Sequence, residues 1–313
     1  MRAIRMHDYG GPDVLRLDDV PVPEPAAGQV RVRVHATGIN PFEWKLREGR
    51  MRGRIELQLP HIPGFDVTGV IDKLGPEVSG WSEGDEVIAA LNRSAQGGYA
   101  DYAVASAEDV VRKPASLSFE AATGLLTPAA TAYRFLVELA EVKAGQNVFI
   151  HGGAGGVGSA AVQIAKALGA HVTTTASTYN IDYLRGLGAD EVINYRRYRF
   201  EDYIGQADVV LDNVGGDTLA RTPAAMKRGA VLVSPAGVPN AEEVEKAGVR
   251  TPSTAWNTGA AFGPRIQKLV DLVNAGKLRV NVDKAFRLED AAAAQELSQQ
   301  GHARGKLVLK VHS

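Results

Sequence analysis

Val30, Val32 and Val34 alternate with Arg31, Arg33 and His35, the two-residue period of a strand with one dry and one wet face. Shorter apolar runs at 67–74, 86–91 and 99–105 are separated by turn residues, Pro63-Gly64, Gly75-Pro76, Gly84-Asp85 and Gly97-Gly98. This spacing predicts a compact β-rich domain or barrel. The texture changes near residue 120. Residues 119–140 have helical composition interrupted at Pro128, and from Asn147 onward strands and helices alternate. Strands are predicted over 148–151, 171–175, 191–193, 209–212 and 230–233, and helices over 157–168, 181–187 and 215–227. Ala161, Ile164, Ala165 and Leu168 share one face of the first of these helices. The alternating order predicts a parallel sheet with right-handed crossovers. Helices over 265–275 and 289–300 and a last strand over 306–311 are placed to close the first domain.

The chain has 313 residues, the length of two domains at roughly 150 residues each. Its 35 Lys and Arg against 36 Asp and Glu give a formal net charge of −1, without the basic surplus of a nucleic-acid binder. Cysteine is absent, which excludes a disulfide framework, a thiolate nucleophile, an Fe–S cluster and cysteine-ligated zinc. The seven histidines form no i, i+4 pair, so no protein metal site is expected. The start MRAIRMHDYGG has no apolar signal core, and no stretch approaches ~18 apolar residues. A soluble, cytoplasmic protein with no membrane partner is expected.

Residues 151–158 read HGGAGGVG. Gly153, Gly155 and Gly158 fit GxGxxG between an apolar strand and an amphipathic helix, the context a dinucleotide fingerprint requires. One glycine permits the sharp turn, one lets a pyrophosphate reach the backbone, and one lets helix and strand pack closely. The helix start then offers free N–H groups and a positive dipole end. The loop Gly152, Gly153, Ala154, Gly155, Gly156, Val157 and Gly158 is therefore the expected cofactor cradle.

An NAD site usually has an acid about 20 residues on, bonded to the ribose 2′-OH. Here that strand exits through Thr173-Thr174-Thr175-Ala176-Ser177, with no acid. The next strand exits through Asn194-Tyr195-Arg196-Arg197-Tyr198-Arg199, either a 2′-phosphate contact or a solvated loop. NADPH is the expected cofactor. The exits Asn213-Val214-Gly215 and Pro235-Ala236-Gly237 should face the nicotinamide, with Asn213 either bonding the cofactor or capping the next helix.

Further motifs extend these readings along nearly the whole chain: Gly38-Ile39-Asn40-Pro41 followed by Trp44-Lys45-Leu46-Arg47, Pro63-Gly64-Phe65-Asp66-Val67-Thr68-Gly69, Gly84-Asp85-Glu86-Val87, Asp212-Asn213-Val214-Gly215-Gly216 and Gly305-Lys306-Leu307-Val308-Leu309. With them the chain resembles the zinc-independent medium-chain dehydrogenase/reductases, the quinone oxidoreductase or zeta-crystallin group. The resemblance implies an α/β protein: a GroES-like β-rich barrel domain over 1–122 and 265–313, and a Rossmann doubly wound parallel sheet over 123–264 that binds NADP, with the active site in the cleft between them. The zinc ligands of the zinc-bearing branch fall on Asn40 and Phe65, neither of which suits zinc. The resemblance also implies 2′-phosphate contacts at Ser177 and Tyr195, although the lysine that often follows the serine has no clear counterpart and Asn180 stands near its place. It places Thr127 beside the nicotinamide and Gly305 and Lys306 near the cofactor cleft, and it predicts a homodimer.

Without metal or an obvious general acid, the expected chemistry is hydride transfer from NADPH to an electron-poor carbon. The first reading is a quinone or enone reductase; an enoyl-thioester reductase of polyketide or fatty-acid type and a non-catalytic NADPH-binding protein are the alternatives. Candidate catalytic residues are Asn40, either an oxyanion donor or a turn residue before Pro41, and Thr127. Trp44 and Phe65 line the expected substrate pocket or pack the core. Tyr99 is either a proton donor or a packing residue, and Lys45 either a base or a solvated lysine. Trp256 and Phe262 are expected at the cleft or at a dimer contact.

Overall fold

The alternation at Val30, Val32 and Val34 becomes the centre of an eleven-residue strand, and all three valines are fully buried. A computed structural model describes residues 1–92, 95–253 and 262–312; Trp256 lies outside them. The chain forms two compact units, Met1–Pro128 with Ala261–Asn274 and Val280–Ser313, and Ala129–Ala260 with Ala275–Arg279.

In chain order the first seven strands are β1 (Arg2–Met6), β2 (Leu15–Asp19), β3 (Gln29–Ile39), β4 (Asp66–Leu74), β5 (Glu86–Ala90), β6 (Tyr102–Ser106) and β7 (Val110–Arg112). Five follow in the second unit: β8 (Asn147–His151), β9 (His171–Ala176), β10 (Glu191–Asn194), β11 (Val209–Asp212) and β12 (Val231–Val233). The last two, β13 (Val282–Arg287) and β14 (Lys306–Lys310), return to the first unit.

The first unit is a seven-stranded sheet in the order β13-β14-β3-β4-β5-β7, with β6 on β3 and a separate β1-β2 ribbon. β14 runs antiparallel to β3, pairing Leu307 with Ile39 and Lys310 with Ala36. One apolar core gathers Val30, Val32, Val34, Val87, Tyr99, Leu307 and Leu309. The architecture is that of a GroES-like domain. The β1-β2 ribbon and β13 carry no sequence signal: β13 is exposed at most positions and so shows no alternation.

The second unit is a parallel sheet in the order β10-β9-β8-β11-β12, the Rossmann-like arrangement. The helix Gly156–Ala167 after β8 is buried on more than one stripe, with Val162 and Gln163 as dry as Ala161 and Ile164. Gln163 is tolerated there because its amide is fully used. Its Nε2 donates to Ser159 O and Arg279 O at 3.0 Å each, and its Oε1 accepts from Arg279 N at 3.0 Å. Residues 119–140, one interrupted helix by composition, break into Phe119–Ala122, Thr123–Leu125, Thr127–Tyr133 and a wider turn at Arg134–Leu139. Pro128 falls in the first turn of Thr127–Tyr133, where its missing N–H costs nothing. Among the described residues no helix is long and apolar enough to cross a membrane.

Candidate functional site

The carboxyl ends of β8 to β12 carry the predicted cofactor residues of the second unit. β8 ends at His151, and the helix Gly156–Ala167 starts with Gly155 at its N-cap and no side chain capping its first turn. The loop is pinned from β9: Gly152 N donates to Thr175 Oγ1 and Gly153 N to Thr175 O, both at 3.1 Å. A Cβ on Gly153 would stand 2.1 Å from Thr174 Oγ1, and one on Gly158 would stand 2.2 Å from Gly152 O. Packing therefore demands both glycines. Gly155 differs: a Cβ there would meet only Gly152 O at 3.9 Å, and its φ of −72° suits any residue. Nothing inside the protein explains a glycine at that position. Ala154 is buried, while Gly156 and Val157 are half-exposed at the start of the helix.

The register Asn194↔Ala176 sets Ser177 and Tyr195 side by side at the exits of β9 and β10. Asn194 organises the corner, donating to Thr178 Oγ1 at 2.8 Å and accepting from Arg196 N at 3.0 Å. Tyr195 is 51 % exposed with the Arg196 guanidinium over its ring, and Arg196 and Arg197 both face solvent. Neither guanidinium has a carboxylate partner among the described residues, whereas Arg199 lies near Glu201. At the exit of β11, Asp212 accepts from Val214 N at 2.6 Å and Gly215 N at 3.0 Å, and burial holds its carboxyl above the usual range. Asn213 donates to His151 O at 3.0 Å, while its own buried Oδ1 has no partner. The next helix begins at Gly216 without a side-chain cap, so Asn213 is not a capping residue. Val214 is half-exposed, and Ala236 lies against Gly215, whose Cβ would come 3.1 Å from Ala236 O. His151 is a core residue: burial pushes its imidazole down to about 3, and its ring packs on Phe149 and Phe200.

The first unit holds a buried polar cluster. Lys306, at the start of β14, donates to Ile39 O at 3.3 Å, to Asp66 Oδ2 at 3.0 Å and to Asn40 Oδ1. Asp66, at the start of β4, also accepts from Asn40 Nδ2 at 2.8 Å and, on Oδ1, from Thr127 Oγ1 at 2.6 Å and Thr127 N at 3.0 Å. Asn40 Nδ2 gives its other proton to Glu43 Oε1 at 3.0 Å, and Asn40 N donates to Glu43 Oε2 at 2.6 Å. Asn40 is thus not a turn residue. It is the N-cap of the helix Pro41–Arg47, and its amide has no proton left for an oxyanion. Thr127, half-buried, spends its hydroxyl proton on Asp66. Lys306, expected near the cofactor, has all three ammonium protons committed inside the first unit. Gly305 beside it is required by packing, since a Cβ at its φ of +90° would stand 2.3 Å from Asn281 O.

Glu43 was not singled out by sequence, although Asn40-Pro41-Phe42-Glu43 is a capping-box spacing. Burial, then the neighbouring charge of Asp66, raises its carboxyl to about 7, against a lowering by Lys306 and Asn40. Folded Glu43 therefore holds its proton more tightly than unfolded Glu43. Its contribution to stability is fully present below about 4.5 and is lost as pH climbs through about 7. The difference in melting temperature between the native protein and Glu43→Gln is expected to fall across that range; a difference independent of pH would contradict it.

Phe65 is buried with its edge toward Phe42, ring centroids 5.6 Å apart. Trp44 is half-buried and its Nε1, buried, has no partner. Tyr99 is fully buried and packs in the apolar core of the first unit, where burial pushes its phenol well above the usual range. Phe262 N donates to Asp109 Oδ1 at 2.6 Å within the first unit.

The alcohol dehydrogenase GroES-like domain family matches residues 26–115, and the zinc-binding dehydrogenase family matches residues 187–309. Human quinone oxidoreductase is 34% identical over 328 residues, covering 99% of this chain and 97% of that protein. The 2-methylene-furan-3-one reductase of Solanum lycopersicum is 34% identical, covering 99% and 79%. A mycobacterial structure complexed with NADPH superposes with a TM-score of 0.88 at 29% identity, covering 99% and 100%. Among the described residues no group of three or more His, Cys, Asp or Glu could hold a metal ion. Of the two positions where the resemblance puts zinc ligands, Asn40 is bonded to Lys306 and Asp66, and Phe65 carries no donor atom.

Proposed function

The chain belongs to the quinone oxidoreductase group of the medium-chain dehydrogenase/reductases, and from that premise we propose that it is an NADPH-dependent, metal-free reductase of quinones or α,β-unsaturated carbonyls. Gly155 carries this reading. It is a glycine that neither backbone conformation nor packing requires, at an uncapped helix N-terminus and in the place where a pyrophosphate approaches the backbone. The loop Gly152–Gly158 would hold the pyrophosphate, and Ser177, Tyr195, Arg196 and Arg197 the 2′-phosphate. Bound NADPH supplies a hydride to the acceptor carbon. The buried Oδ1 of Asn213 is an acceptor suited to an amide N–H at the nicotinamide end. Neither Asn40 nor Thr127 has a proton to give, so the anion left by hydride addition would be protonated by water or another nearby group. Both residues position: Asn40 bonds Asp66, and Asp66 holds Thr127 through its hydroxyl and backbone N–H.

The test follows NADPH and NADH oxidation with a naphthoquinone and short enones, with and without chelator. Chelator-insensitive oxidation of NADPH is expected. Failure of both nicotinamides to bind would sink the reading. Removing the charges in an Arg196→Ala/Arg197→Ala variant is expected to weaken NADPH roughly tenfold, about 1.4 kcal/mol, and to leave NADH nearly unchanged. Equal losses for both cofactors would return that corner to a solvated loop.

A further inference from the structure

Residues 45–54 (KLREGRMRGR) hold five basic residues and one acid, in a chain whose net charge is −1. Arg47 is used internally: buried, it donates to Gly10 O at 2.9 Å, Gln295 at 2.8 Å and Gln299 at 3.2 Å. Arg50 pairs with Glu48 at 2.7 Å. Among the described residues Lys45, Arg52 and Arg54 have no carboxylate partner. Lys45 and Arg52 lie instead over aromatic rings. Lys45 and Arg50 lie 5.5 Å and 5.0 Å from the centroid of Trp44, and Arg52 lies 4.5 Å from that of Tyr9. Burial, then the charge of Arg50, pushes the Lys45 ammonium down. A half-buried cation crowded by a second cation is a repulsive arrangement that a bound anion relieves. The indole offers a flat face, and its buried N–H is an unused donor.

We propose that Trp44, Lys45, Arg50, Arg52 and Arg54 receive an anionic group carried by the acceptor, so that the preferred substrates are quinones or enones bearing a carboxylate, sulfonate or phosphate. The proposal rests on the reductase reading above. The anion belongs to the acceptor and not to NADPH, because the cofactor's phosphates have their own receivers in the second unit. Trp44 adds stacking for a planar ring, and the cations add steering and selection by charge.

The experiment compares a naphthoquinone with the same ring carrying a sulfonate, by kcat/KM with saturating NADPH. The sulfonated ring is expected to be preferred about tenfold at low salt. The preference should shrink toward unity at roughly 0.3 M salt, which screens exposed charges beyond a few ångströms. It should vanish or invert in an Arg52→Glu/Arg54→Glu variant, read as the ratio of kcat/KM for the two rings on the same protein. These arginines face solvent, and the salt series on the native protein needs no variant at all. A native ratio near unity, or a ratio the variant leaves unmoved, overturns the proposal. So does a rise in KM for NADPH without change in the acceptor ratio, which would assign the charge to the cofactor. Calorimetric titration of the NADPH-loaded protein with naphthalene sulfonate separates the two readings. Salt-sensitive binding lost in the variant supports the anion site even where no quinone is reduced, and absence of binding refutes it.

Discussion

Lys306→Met is expected to lower the unfolding free energy by about 3–5 kcal/mol. The ammonium and the Asp66 carboxylate are 3% and 2% exposed and 3.0 Å apart, so neither can turn to water when the other is lost. Methionine keeps much of the volume and removes the charge. Asp66 is then left as a buried anion with only neutral donors, from Thr127 and Asn40, and Glu43 adds a second carboxyl that is harder still to ionise. Removing the other charge as well should restore part of the loss, because Asp66→Asn/Lys306→Met no longer buries an unpaired ion. Urea unfolding of the native protein, both single variants and the double variant closes the cycle. NADPH affinity measured on the same proteins is the discriminating control. Retained affinity with a large loss of stability marks Lys306 as a residue of the first unit's interior. Lost affinity with native stability would instead return it to the cofactor, where resemblance had put it.

That residue also shows why the cluster was hard to see in sequence while the sheets were not. The alternation of β3 is legible because one face is buried and the other wet over successive residues. The glycine loop is legible because turn, cradle and helix start occupy eight consecutive positions. Local patterns of this kind gave the parallel sheet, while Ser177 and Tyr195, at the exits of β9 and β10, came from the resemblance. The polar cluster has no such pattern. Lys306 meets Asp66 across 240 positions and Asn40 across 266, and Asp66 meets Thr127 across 61. Each alone reads as an ordinary polar residue, and only the antiparallel pairing of β14 with β3 brings the lysine into the interior. Asn40 was legible in half. Its place before Pro41 marks a change of direction, and Glu43 three positions on marks that change as a helix start. That spacing implies the bond from Asn40 N to Glu43, but not the Nδ2 bond to Asp66, which lies 26 positions away.

Gly155→Ala is expected to leave the melting temperature unchanged while weakening NADPH about a hundredfold, roughly 2.7 kcal/mol. The backbone there is extended at a φ of −72°, so alanine brings no strain and reduces the freedom of the unfolded chain slightly. Its methyl would come no nearer than 3.9 Å to Gly152 O, so no neighbour has to move. What the methyl does occupy is the space above the uncapped first turn, where a pyrophosphate must come within hydrogen-bond reach of backbone N–H groups. Gly158→Ala is the contrast. Its methyl would stand 2.2 Å from Gly152 O and 2.7 Å from Gly153 Cα, so the helix must lift off β8. That variant should lose stability, by about 1–3 kcal/mol, together with cofactor affinity. Thermal melts without nucleotide and fluorescence titration with NADPH separate the two in one series. A Gly155→Ala protein that binds NADPH as the native one does would mean that no ligand approaches the backbone at that position, and the cradle reading fails. One that melts early, as Gly158→Ala should, would make Gly155 a packing residue. Stability kept and affinity lost at Gly155, against both lost at Gly158, is the pair of results that a phosphate cradle requires, because only there is the glycine's missing side chain reserved for something outside the protein.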